Sequence, residues 1–257
     1  MTPAGFVGDP AALAFPKRGE APAPTTRFIL LSQPRNGTHF VSGLLNTHPQ
    51  VLCLDEPLNP GVNRADVPAA VISEMIWAEP DMAANGFIVH WNQHAEPGLG
   101  EGFLFGLPEN VRVVWVCRVD VLATIVSRRI AEVTGRWQSG EPTTMTLAID
   151  APSLRDDYEE LMFERCLISA WMRRRRSAMT MSYESVVRQP DMPRVQSFLG
   201  IPFEPLNATD CGAFKQELRP LSQVLENYAE LERELAGTPL ANLFRPEHRR
   251  EESRSFF

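Results

Sequence analysis

Lysine is almost missing from this chain. Of its 25 basic side chains only Lys17 and Lys215 are lysines; the rest are arginine. A genome biased toward arginine and alanine codons explains most of that, but it leaves Lys215 as the one lysine in the body of the chain. Positive excess is missing too. The formal net charge is −7, which excludes a general grip on nucleic acid because neutralising phosphates needs a basic face. A local basic pocket is still compatible with it. No stretch approaches the roughly 20 apolar residues of a membrane span. The opening "MTPAGFVGDPAALAFPKRGE" has no basic start followed by a long apolar run, so it is not expected to be a secretory leader. No CxxC occurs. Cys53, Cys117, Cys166 and Cys211 read as reduced thiols of a cytoplasmic protein, the first two as small core residues. In that setting the glycosylation-like triplets at Asn36 and Asn207 carry no meaning.

What is present suits a globular domain. Hydrophobic residues make up 44% of the 257 and charged residues 22%, enough to fill a sizeable core. Residues 1–26, rich in Pro and Ala, read as a loosely packed arm. Residues 27–243 read as the domain and 244–257 as a charged, exposed tail. "RFILLS" from Arg27 is a short apolar run without a helical stripe, hence a buried strand. "NGTHFVSGLLNTHP" then has Phe40, Val41, Leu44 and Leu45 at helical spacing, with Pro49 past the end. "VLCL" from Val51, "GFIVHW" from Gly86 and "VRVVWVCR" from Val111 read as further strands. Asp120 is a fitting N-cap for the helix "VDVLATIVSRRIAEV". Residues 136–152 read as loop and 154–176 as a long helix ending in "RRRR", a solvated end that suits the helix dipole. "SAMTMSYE" reads as a strand, "MPRVQSFLG" as a short helix closed by Gly200, and "LSQVLENYAELERELAG" as one last helix closed by Gly237. Strands alternating with helices predict an α/β fold with a central parallel sheet covered on both faces. Ligands of such folds bind beyond the carboxyl ends of the strands. Here the two best strands end at Gln33 and Arg118.

The segment "SQPRNGTH" joins the first strand to its helix. A loop there offers free N–H groups and the positive end of the helix dipole to an anion. Arg35 adds a forked charged donor and Thr38 a hydroxyl, while Gly37 lets the backbone approach closely. The ATP-binding form, GxxxxGK(S/T), has a lysine that reaches the terminal phosphates. This loop lacks it, which disfavours a nucleoside triphosphate.

"FILLSQPRNGTH" resembles the 5′-phosphosulfate loop, typically P-(K/R)-(S/T)-G-(S/T), of sulfotransferases that use 3′-phosphoadenosine 5′-phosphosulfate (PAPS). The longer run through "LLNTHPQVLCLDEPLN" is similar to the bacterial carbohydrate type, particularly the rhizobial nodulation-factor enzymes. Asn36 stands where Ser or Thr is usual. In "CRVDVLATIVSRR", Arg118 ends a strand and Ser127 follows nine positions on, the form of that family's 3′-phosphate site. "MTMSYESVVRQPDMPRVQSFLG" and "KQELRPLSQVLENYAELERELAG" resemble its C-terminal segments. The resemblance implies a P-loop-like three-layer fold. It implies PAPS as co-substrate and adenosine 3′,5′-bisphosphate (PAP) as product. The residues it assigns to them are Pro34, Arg35, Asn36, Gly37, Thr38, His39, Arg118, Ser127, Tyr183, Lys215 and Arg219, with Tyr183 beside the adenine.

Sulfuryl transfer needs in-line positioning, stabilisation of charge and a base for the acceptor hydroxyl. Arg35 and Thr38 serve the charge. The resemblance places a catalytic glutamate near Glu56, and a partly desolvated carboxylate there is expected to have a raised pKa. Asp55 and His90 are the other candidates for the base, and His39 reads as a packing residue or a support for a neighbouring site residue. No metal is expected, since His90 and His94 would share a face only in a helix. Loops 57–85 and 136–155 are expected to form the acceptor pocket. The acceptor expected is a hydroxyl of a carbohydrate or glycolipid; an oligomer is open. The rival readings are a non-catalytic nucleotide-binding protein of the same fold and a divergent P-loop kinase.

Overall fold

A computed structural model of the chain describes residues 25–59, 68–78, 82–95, 102–137, 144–212 and 219–245. Five parallel strands form one sheet: β1 (Thr26–Ser32), β2 (Val51–Leu54), β3 (Ala84–His90), β4 (Arg112–Cys117) and β5 (Ala178–Ser182), in the order β2-β3-β1-β4-β5. The helices are α1 (Thr38–Asn46), α2 (Ala69–Trp77), α3 (Val121–Thr134), α4 (Ala151–Met172), α5 (Tyr183–Arg188), α6 (Pro193–Leu199), α7 (Leu221–Val224) and α8 (Tyr228–Glu234). The architecture is the three-layer, P-loop-like α/β fold that the sequence predicts.

Strand alternation builds the layers. On β1, Phe28 and Leu30 face a core completed by Val41, Leu44 and Leu45 of α1 and by Val186, Val195 and Leu199 of α5 and α6. Ile29 and Leu31 face the opposite core, with Ile76 and Trp77 of α2 and Ile168, Trp171 and Met172 of α4. A strand buried on both faces cannot alternate apolar with polar, which is why "FILL" and "VVWV" read as continuous runs. A third cluster joins α3 and the first half of α4 to Val224, Leu231 and Phe244.

The strand order fixes where a ligand can sit. From β1 the chain crosses to β2 on one side, and from β4 to β5 on the other. The crevice between the ends of β1 and β4 is therefore the topological switch point. Arg35 leaves one of those strands and Arg118 the other.

Several boundaries differ from expectation. Thr26 already belongs to β1, and buried Phe244 packs edge-on against the ring of Tyr228. Within the expected loop 57–85 lies α2, entered from Pro68 without a side-chain cap. Asp150 caps α4 by accepting from the Ser153 N–H, and the helix starts ahead of residue 154. It stops before the arginine run, and Arg175 is not a solvated end. That side chain is 5% exposed, lies over Trp171 and donates to the carbonyls of Leu107 and Pro108. Tyr183 opens α5 instead of ending β5. The single last helix is split: Leu225 turns extended and bridges to Leu147, while the Asn227 amide bonds both N–H and C=O of Ile149. Pairing with the 144–150 segment outcompetes helix continuation there.

Candidate active site

The loop after β1 is held in a shape that few residues adopt. Arg35 has φ +68 and Gly37 φ +85, both in the left-handed region. At Gly37 the ring of Tyr183 is so close that an added Cβ would lie 2.3 Å from its Cδ2. Glycine is required there twice over, by φ and by space. Gly37 caps α1 without a side-chain bond, and Thr38, 1% exposed, is its first residue.

Over this loop sit two guanidiniums. Arg35 donates from Nε to Ser127 Oγ of α3 at 3.0 Å, and from Nη1 to the carbonyl of Trp137. Burial, then the neighbouring Arg118 charge, lower the Arg35 pKa from its ordinary value, while Glu56 opposes them. Two cations held this close in a half-buried place form a site that favours an anion. Arg118 lies 5.5 Å from the Tyr183 ring centroid, and its Nε is buried without a hydrogen-bond partner among the described residues. Tyr183 also meets Phe40 edge-on, and burial raises its phenol pKa. Thus Arg35, Gly37, Thr38, Arg118, Ser127 and Tyr183, spread over more than 140 positions of sequence, meet at the switch point.

Asn36 turns inward instead. It is fully buried; Oδ1 accepts from Thr124 Oγ1 at 3.4 Å, and Nδ2 has no partner among the described residues. Pro34 is half-buried in the same loop. Arg219 donates to the carbonyls of Thr144 and Met145, fastening the segment ahead of α4. Lys215 lies outside the described residues.

A second cluster gathers at the ends of β2 and β3. Glu56, at φ +24, accepts four hydrogen bonds. Oε1 takes His39 Nε2 and His90 Nε2, each at 3.0 Å; Oε2 takes Asn59 Nδ2 at 2.9 Å and Gln93 Nε2 at 3.0 Å. Burial would raise the Glu56 pKa, but the bonds from His39 and His90 pull it well below the usual carboxylate range. The expected raised pKa is thus corrected, because these donors outweigh desolvation. His39 also reaches Asp55 through Nδ1, 3.4 Å from Oδ2. Burial would lower its pKa, but the bonds to Asp55 and Glu56 raise it to about 9. His39 is thus a charged partner of Glu56, which fits the supporting role among the two expected of it. Ligand atoms of His39, Glu56 and His90 lie within 4.8 Å of one another, the grouping among the described residues that could hold a metal ion.

Sequence reasoning missed Asn59, Gln93, Gln33, Arg165 and Glu184. Glu184 accepts from the N–H groups of Val119 and Asp120 and so fixes the turn that carries Arg118. The "YE" pair marked it; Gln33 and Arg165 have no local signature, since their partners lie 47 to 132 positions away, while Asn59 sits only three positions from its partner Glu56.

Comparison with known proteins fits this geometry. No protein-family model matches the chain. Nodulation protein H of Rhizobium tropici is 26% identical over 238 residues, covering 84% of this chain and 92% of that protein. Nodulation protein H of Rhizobium meliloti strain 1021 is 27% identical over 241 residues, covering 86% and 96%. The motifs from Phe28 to Asn59 resemble the rhizobial nodulation type of sulfotransferase, and rhizobial nodulation proteins are what aligns with nearly the whole chain. The chain is similar over more than four fifths of its length to these nodulation proteins H. Solved structures similar to the chain include a sulfotransferase from Alicyclobacillus acidocaldarius, with TM-score 0.48, 17% identity, and 89% and 100% of the two chains covered. Another is mouse sulfotransferase SULT7A1 complexed with PAP, with TM-score 0.45, 12% identity, and 91% and 90% covered. Those likenesses are too loose to carry an argument. Among the described residues no helix is long and apolar enough to cross a membrane.

Proposed function

We propose that this sulfotransferase moves the sulfuryl group of PAPS to a hydroxyl of a carbohydrate or glycolipid, in line and without a metal ion. The observation that carries the reading is the pairing of Arg35 and Arg118 at the switch point, with Ser127 within reach of Arg35. The α1 N-terminus, Arg35 and Thr38 hold the 5′-phosphosulfate. Arg118 and Ser127 hold the 3′-phosphate, and Tyr183 lies along the nucleotide. The acceptor oxygen forms its bond to sulfur as the bridging S–O bond to the 5′-phosphate breaks, and PAP leaves. The hydroxyl proton passes to Glu56. A carboxylate this acidic is a weak base, so the proton moves late, once bond formation has made the hydroxyl acidic.

One observation favours His90 as the base instead. Its Nε2 bonds Glu56 while Nδ1 is buried without a partner among the described residues, so Glu56 would then orient the ring. The carbohydrate acceptor rests on the likeness to the nodulation proteins. The non-catalytic rival predicts PAP binding with no transfer to any acceptor. The test is Arg118→Ala, assayed with PAPS and with adenosine 5′-phosphosulfate. Affinity should fall far more for the 3′-phosphorylated donor; equal loss for both would refute the 3′-phosphate assignment.

A further inference from the structure

Both anion-binding segments are latched to one buried side chain of α4. Arg165 is 3% exposed. Its Nη2 donates to the carbonyl oxygen of Arg118 at 2.6 Å, and its Nε to Gln33 Oε1 at 3.3 Å. Gln33, 1% exposed, follows β1 and precedes Arg35 by two positions. From Nε2 it donates to the Leu161 carbonyl at 2.9 Å and to Glu164 Oε2 at 2.7 Å, both on α4. Ser32 adds a direct tie between the strand ends, from Oγ to the Val116 carbonyl at 3.0 Å.

A buried guanidinium is costly to desolvate, and an apolar side chain of similar volume often serves stability as well or better. Packing alone therefore gives little reason for an arginine here. Its planar fork does something a methionine cannot: it fixes the spacing between two backbone segments. Those segments carry Arg35 and Arg118, which must meet the 5′ and 3′ phosphates on one ribose. We propose that Arg165 is a positioning residue for the donor site, setting the separation of the 5′ and 3′ anion loops. This rests on the reading of the crevice as a PAP-type nucleotide site.

Arg165→Lys tests it, because lysine keeps the charge and most of the volume but cannot span both partners. Wild type and variant are titrated calorimetrically with PAP and with AMP, and their thermal unfolding is followed. The expected result is a preference for PAP over AMP reduced by about tenfold or more, as for a misplaced binding group. Melting should shift by only a few degrees. Gln33→Met removes the other arm of the latch and should shift the preference in the same direction; it carries the test if Arg165→Lys does not fold. An unchanged preference in a folded variant, or equal loss for both ligands, overturns the proposal. A wild type without any preference overturns the nucleotide reading beneath it. The wild-type titration alone tells that outcome apart.

Discussion

A carboxylate that accepts four hydrogen bonds stays ionised far into acid, and Glu56 is such a group. Its folded pKa is depressed, so the stability it contributes is present above the ordinary carboxylate range and is lost as pH falls below it. His39 works in the other direction. Its pKa is raised from 6.5 to about 9, so its contribution is complete below about pH 6.5 and disappears as pH rises through about 9. The pair therefore supports the fold most between those limits. Wild type is expected to lose stability between pH 7 and 9, and melting curves of His39→Gln should lack that decline; a parallel decline in the variant would place its cause elsewhere. Glu56→Gln should bind PAP nearly as wild type does while turnover falls about 10²–10⁴-fold. Unchanged turnover would rule out Glu56 both as the base and as the group that orients His90. Gly37→Ala meets both a left-handed backbone and the Tyr183 ring, and should cost more than about 1 kcal/mol in chemical denaturation along with PAP affinity.

Among the elements, α3 presents Ser127, one of the groups proposed to hold the 3′-phosphate. Asp120 caps it by accepting from the Ala123 N–H at 3.0 Å, and Ser127 stands two turns on. Asp120→Ala should cost about 1 kcal/mol of stability in urea denaturation. PAP affinity should fall less than in Arg118→Ala; a larger fall would mean that the cap itself touches the nucleotide. This helix was legible in advance, because a capping Asp, an apolar stripe and a closing Gly135 all lie within one stretch of chain. The same holds for α1 and for "VRVVWVC". Where a distant partner decides, local pattern fails. Leu225 belongs to a helical run in sequence but pairs with Leu147, and Arg175 sits in a charged run but is drawn under Pro108 by carbonyls more than 60 positions away. Helix α2 has no capping side chain to announce it.

In the whole molecule the strand order makes the site. Only the crossing from β1 to β2 on one side, and from β4 to β5 on the other, brings Arg35 and Arg118 to one crevice. Sequence motifs named both arginines, Ser127 and Glu56. They could not show that His39, His90, Asn59 and Gln93 close around Glu56, since those contacts span strands and turns 3 to 37 positions apart. That closure could suit a metal ion as well as a proton, so chelation is informative. Dialysis against a strong chelator should leave sulfuryl transfer unchanged; loss of activity restored by a divalent cation would contradict a metal-free mechanism.

The most direct test of the central claim is a calorimetric titration with PAP, set beside AMP and beside ATP with and without magnesium. Selective, magnesium-independent binding of PAP is the predicted result, because two arginines and a serine await two separated phosphates and the loop has no lysine for a third. Preference for ATP with magnesium, or no binding of PAP, would contradict it.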